Sequence, residues 1–120
     1  MAMPSASSLR MAVEKIAAPE TAEQQRLLVK ALTWQANFDR ELGRTELATQ
    51  LARQSLDLLD SPLLFDQETR LERAAALYCL GFATLRHDYD RASRLWKQSF
   101  ELYRAVGDRW GMAKYLVVWQ

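Results

Sequence analysis

His87 stands beside Asp88 and Asp90, and this is the nearest the chain comes to a group of side chains that could move a proton or hold a metal ion. An imidazole with a neighbouring carboxylate is the common general acid–base pair, and the same groups ligate divalent cations. The set ends there. His87 is the only histidine and falls in a segment that reads as a turn, whereas a closed metal site needs about four ligands. Cys79 is the only cysteine, so an internal disulfide and any multi-cysteine metal site are excluded. It lies in an apolar run with no neighbour in sequence to lower its pKa, which is the setting of a buried, inert thiol. No Gly-rich phosphate loop, zinc spacing or nucleophile elbow is present. The expectation is a protein without catalytic residues, metal or cofactor.

Charge narrows the partners further. The chain carries 16 basic and 15 acidic side chains, so it lacks the basic footprint that draws a protein onto nucleic acid. No apolar run approaches the ~18 residues of a membrane span. A protein or peptide partner in a reducing, cytoplasmic setting is expected, with neither nucleic acid nor membrane.

The elements that would position a binding surface are set by an internal repeat. Arg53-Gln-Ser-Leu-Asp-Leu-Leu59 recurs 44 residues later as Lys97-Gln-Ser-Phe-Glu-Leu-Tyr103, with charge and apolar character kept at each change. Upstream, Ala48, Leu51 and Ala52 correspond to Ala92, Leu95 and Trp96. The matched positions Ala48, Leu51, Ala52, Ser55, Leu56 and Leu59, at offsets of 0, 3, 4, 7, 8 and 11, lie on one face of an α-helix. With only 4 Gly and 3 Pro, the chain has the makings of long helices and little material for hairpins of strands. Repeats of this length are stacked helical units that bury their apolar faces against each other. Ala48, Leu51, Leu56, Ala92, Leu95, Trp96, Phe100 and Tyr103 are the expected core of the second helix of each unit. Core filling is also the expected role of the four tryptophans, Trp34, Trp96, Trp110 and Trp119.

Stop and start signals divide the chain. Residues 1–8 are small and polar and read as a disordered start; a helical domain is expected over residues 9–120. Ser8 can cap a short helix over 9–17, and Pro19 ends it before Thr21, whose spacing to Gln24 is that of a capping box. Helical hairpins are expected over about 21–59 and 66–106, with Gly43 and Gly107 as helix ends and Thr45, Asp66 and Asp108 as caps. An apolar connector, Leu63 to Phe65, either tucks under the helices or forms a binding lip. A further helix over 109–120 is apolar almost all round. Either it belongs to a longer array, or Leu116, Val117 and Trp119 mediate self-association.

Leu77-Tyr-Cys-Leu-Gly81 followed by His87-Asp-Tyr-Asp-Arg-Ala92 resembles the tetratricopeptide repeat, which has a Leu-Gly pair in its first helix and a Gly-Asp-Tyr-x-x-Ala turn. In the first copy Ala36 takes the glycine position and Gly43 and Ala48 the turn positions. The resemblance covers roughly residues 24–120 and implies an all-α, right-handed solenoid of stacked antiparallel helix hairpins. The junction Tyr103-Arg-Ala-Val-Gly-Asp-Arg-Trp-Gly-Met-Ala113 looks like those in arrays of large bacterial signalling ATPases and transcription activators. In such arrays the first helix of each hairpin lines a concave groove. Carried over residue by residue, the groove would hold Lys30, Thr33, Asn37 and Arg40 in the first copy and Tyr78, Phe82 and Arg86 in the second. The polar four could hold an acidic or C-terminal peptide, or could be a solvated face; Tyr78 and Phe82 could anchor a peptide or pack between hairpins. The implied function is a protein-interaction scaffold that binds a peptide or partner helix. The alternative is an effector-sensing module of a bacterial signalling or transcription regulator.

Overall fold

A computed structural model describes residues 21–118, which form five α-helices, a single 3-10 turn and no strand. We number them α1 (Ala22–Glu41), α2 (Thr45–Leu59), α3 (Arg70–Thr84), α4 (Tyr89–Val106) and α5 (Arg109–Val118). The 3-10 turn, Pro62–Leu64, lies between α2 and α3. Residues 9–17 and Trp119, for which a helix and a contact were expected, lie outside the described residues, as do the side chains of Leu116 and Val117.

Local chemistry accounts for most boundaries. Thr21 caps α1, its hydroxyl accepting from the Gln24 amide at 3.2 Å. Gly43 adopts φ 79° after α1, a left-handed conformation that costs a side-chain-bearing residue energy and glycine little. Asp88 caps α4 by accepting from the Arg91 amide at 3.0 Å. Asp108 does the same for α5, accepting from the amides of Trp110 and Gly111.

Two expected caps are corrected. Thr45 is the first residue inside α2, because Arg44 carries the non-helical dihedrals and its carbonyl takes the Ala48 amide. Asp66 lies in a loop four residues before α3. The amide at the start of that helix instead meets the Glu68 carboxylate, which also receives three hydrogen bonds from the Arg70 guanidinium at 3.0, 3.2 and 2.9 Å. Those charged donors hold Glu68 below its usual carboxylate pKa.

Each helix packs on the next in sequence, and α1 also touches α3. Leu28, Leu32 and Ala36 of α1 meet Ala48, Leu51 and Ala52 of α2, and Cys79 and Leu80 of α3 complete the cluster. Burying a side chain such as Leu32 contributes about 1.5–3 kcal/mol. Of the expected core, Ala48, Leu51, Ala92, Trp96 and Tyr103 are buried, while Leu56, Leu95 and Phe100 are half-buried at the flanks. The repeated serines serve one purpose in both copies: Ser55 receives the Thr33 hydroxyl at 3.3 Å, and Ser99 donates to the Ala74 carbonyl at 2.7 Å. Each is fully buried and ties the second helix of a pair to the first. The connector divides: Leu64 joins Val29 and Leu59 in a small core, while Phe65 is 92% exposed.

Gly81 sets the closeness of α3 to α4. A Cβ there would fall on the Trp96 indole, whose Nε1 donates to the Tyr78 carbonyl at 3.3 Å. Gly111 allows Tyr103 to approach α5 in the same way.

Candidate functional site

α1, α3 and α5 each contribute to one cluster of rings and cations. Tyr78 and Phe82 lie one turn apart on α3 and meet edge to face, with centroids 5.1 Å apart. Phe82 in turn meets Trp96 of α4 edge to face at 5.1 Å, which fixes the pair to the core. From α1, the Arg40 guanidinium carbon lies 4.6 Å from the Phe82 centroid and 5.8 Å from that of Tyr78. From α5, the Lys114 ammonium lies 5.5 Å from the Tyr78 centroid and 5.9 Å from that of Tyr103. Two cations therefore lean on the same phenol ring, within the range at which the ring quadrupole attracts them.

Asn37 completes the α1 side. Its amide nitrogen donates to the Thr33 carbonyl at 3.0 Å, and its oxygen accepts from Arg40 at 3.5 Å. Among the described residues, the sole ion pair of Arg40 is a loose one with Glu41 at 3.9 Å, and Lys114 forms none with them. Arg40 Nε is buried without a hydrogen-bond partner. The carboxylates of the described residues thus leave this positive charge largely uncompensated. Burial raises the Tyr78 and Tyr103 hydroxyls above their ordinary pKa, with Arg40 opposing the shift at Tyr78. Both phenols stay neutral at physiological pH.

The seven residues expected to line a groove do not all meet. Asn37, Arg40, Tyr78 and Phe82 come together. Thr33 is turned into the interface between α1 and α2, where it is buried and its hydroxyl donates to the Val29 carbonyl at 2.8 Å and to Ser55. A four-residue ladder through Thr33 is therefore not what α1 presents. Lys30 is exposed beside Ala22, Arg26, Leu27 and Gln67, in a separate shallow groove of about 510 Å³. Arg86 sits exposed in the turn after α3, which stops at Thr84, so it leaves the face shared by Tyr78 and Phe82. Lys114 was not foreseen. Its signal in the sequence is that it is the one charged residue between Trp110 and Trp119.

The remaining reactive groups are a thiol beside Arg40 and an imidazole in the turn after α3. Cys79 is fully buried, and burial lifts its thiol from 9.0 to about 11, against the pull of Arg40. His87 is exposed, and among the described residues no group of three or more His, Cys, Asp and Glu could hold a metal ion. No helix among them is long and apolar enough to cross a membrane. In comparisons with known proteins, no family model, curated protein or solved structure matches the chain.

Proposed function

We propose that the chain is a protein-interaction scaffold, built as tetratricopeptide-like hairpins in a right-handed stack, that binds an acidic peptide or partner helix across α1, α3 and α5. The reading is supported by the order of packing, in which each helix meets the next, and by the glycine at the centre of the second pair. One observation carries the choice of ligand: Arg40 and Lys114 approach Tyr78 from two different helices without a strong carboxylate partner among the described residues. An anionic partner would supply the missing counter-charge to both, while Tyr78 and Phe82 offer it apolar area. Preformed aromatic and arginine contacts are frequent energetic centres of interfaces, and rings held by Trp96 cost little further ordering on binding.

Selection of random peptides on the immobilised protein tests this. Enrichment of sequences rich in Asp and Glu with interspersed apolar residues is expected, and it should disappear on the double variant Arg40→Glu, Lys114→Glu. Enrichment of basic or uncharged sequences, or enrichment that survives the double charge reversal, would refute the reading.

A further inference from the structure

The connector between α2 and α3 carries the chemistry that would complement the cluster on α1, α3 and α5. Residues 54–69 contain four carboxylates, Asp57, Asp60, Asp66 and Glu68, and no Lys, Arg or His. Asp60 is paired with Arg73 at 2.8 Å and Glu68 with Arg70 at 2.9 Å, and Asp57 stands one turn after Arg53 on α2. Asp66 is exposed and, among the described residues, accepts only from the Gln67 side chain at 3.3 Å. Immediately before it, Phe65 is 92% exposed. A single exposed apolar side chain is ordinary. An exposed phenyl ring beside a carboxylate without a cation, however, is the counterpart of exposed rings beside cations without a carboxylate.

The turn holds this pair in place. Ser61 Oγ accepts from the Leu63 amide at 3.3 Å, the Pro62 carbonyl from the Phe65 amide at 3.2 Å, and the Leu64 carbonyl from the Gln67 amide at 3.1 Å. Leu64 is buried against Val29 and Leu59. Phe65 and Asp66 therefore project from an ordered knob, whose docking costs little further ordering. The knob is out of reach of the cluster on its own chain. Leu64 is anchored beside Val29, 11 residues before Arg40 on α1, and 11 helical residues span about 16 Å along the axis. Phe65 follows Leu64 directly, so it stays at the far end of α1 from Arg40.

We propose that the acidic partner of the Arg40–Tyr78–Lys114 cluster is the connector of a second copy of this chain, with the Asp66 carboxylate between the two cations and Phe65 against the rings of Tyr78 and Phe82. This rests on the acidic-peptide reading and names its occupant. One contact satisfies both faces: it gives Arg40 and Lys114 a carboxylate, gives Asp66 a cation, and takes Phe65 out of water. The two patches are different surfaces of one molecule, so the contact is heterologous. Each copy offers one knob and one cluster, and association runs past the dimer unless the rotation closes a ring.

Light scattering on the full chain over a concentration series tests the proposal. The wild-type mass should rise to at least about twice that of one chain as concentration increases, and should fall back with added salt. The double variant Phe65→Ser, Asp66→Lys alters the knob alone, and Arg40→Glu, Lys114→Glu alters the cluster alone. Each should be monomeric by itself, with its helical circular dichroism intact. Mixed in equal amounts they should form a dimer and nothing larger, because the cluster variant still has a knob and the knob variant still has a cluster. A wild type that stays monomeric at every concentration while binding selected acidic peptides overturns this proposal and leaves the acidic-peptide reading standing. A monomeric wild type that binds no such peptide overturns both. Association that persists in either double variant, or a mixture that stays monomeric, also overturns the proposal.

Discussion

The guanidinium carbon of Arg40 lies 4.6 Å from the centroid of the Phe82 ring, joining the first helix of one pair to the first helix of the next. It is a structural contact and an electrostatic one at once. Replacing Arg40 with glutamate removes a cation–π contact, worth about 0.5–1 kcal/mol at a partly exposed site. The same change reverses the charge offered to an acidic partner. The expected outcome is a folded protein with helical circular dichroism preserved, a slightly lower denaturation midpoint, and affinity for selected acidic peptides reduced by about tenfold or more, equivalent to about 1.4 kcal/mol. A loss of binding with no loss of helix separates the two roles.

Gly81 should tolerate no side chain. Even a methyl group meets the Trp96 indole, which is 5% exposed and held by its hydrogen bond to Tyr78. Gly81→Ala should destabilise by about 1–3 kcal/mol, the usual cost of overpacking a tight core. Chemical denaturation followed by tryptophan fluorescence checks it, and a neutral effect would mean that α3 and α4 lie further apart than the Trp96 contact requires.

Two aspartates that precede helices differ in what they hold. Asp88→Ala should cost about 1 kcal/mol through loss of the Arg91 amide bond. Asp66→Ala should change stability by less than about 0.5 kcal/mol, since Asp66 is exposed and, among the described residues, its carboxylate accepts only from the Gln67 side chain. Paired urea titrations of the two variants decide the matter.

Stability should fall between pH 9 and 11. Burial raises the Cys79 thiol from 9.0 to about 11, and raises Tyr78 and Tyr103 in the same direction. The folded chain therefore keeps protons that the unfolded chain has already released. The contribution is fully present below pH 9 and is lost as pH rises through 11. A tenfold difference in proton affinity between the folded and unfolded chain is worth about 1.4 kcal/mol, so the thiol alone accounts for roughly 1–3 kcal/mol. Denaturation midpoints at pH 8 and 10.5 should show the drop, and Cys79→Ala should reduce it. At pH 8 a thiol reagent should label Cys79 only on unfolding.

How much of this was legible in the sequence depended on the range of the interaction. Thr21, Gly43, Gly107 and Asp108 act within a turn of chain, and their types and spacing mark helix ends directly. The repeat located Ala48, Ala92 and Trp96 in the core because a buried helix face has a period. Thr33 and Arg86 were misplaced for a different reason. Whether a helix residue faces a groove or its own partner depends on rotation about the axis, and a helix that stops at Thr84 sheds Arg86 into a turn. Both depend on packing between helices far apart in sequence. Lys114 lay beyond reach for the same reason: its approach to Tyr78 joins residues 36 positions apart on α5 and α3. Asp66 failed as a cap because the Glu68–Arg70 interaction starts the helix later than a generic capping signal implies.

The most direct test of the peptide-binding account is an amide-resolved NMR titration of the full chain with an acidic peptide enriched by selection. The account predicts saturable shifts centred on Asn37, Arg40, Tyr78, Phe82 and Lys114, lost in Lys114→Glu and weakened by added salt. Shifts confined to the exposed connector around Phe65, or an affinity unchanged by reversing the charge at Arg40 and Lys114, would contradict it.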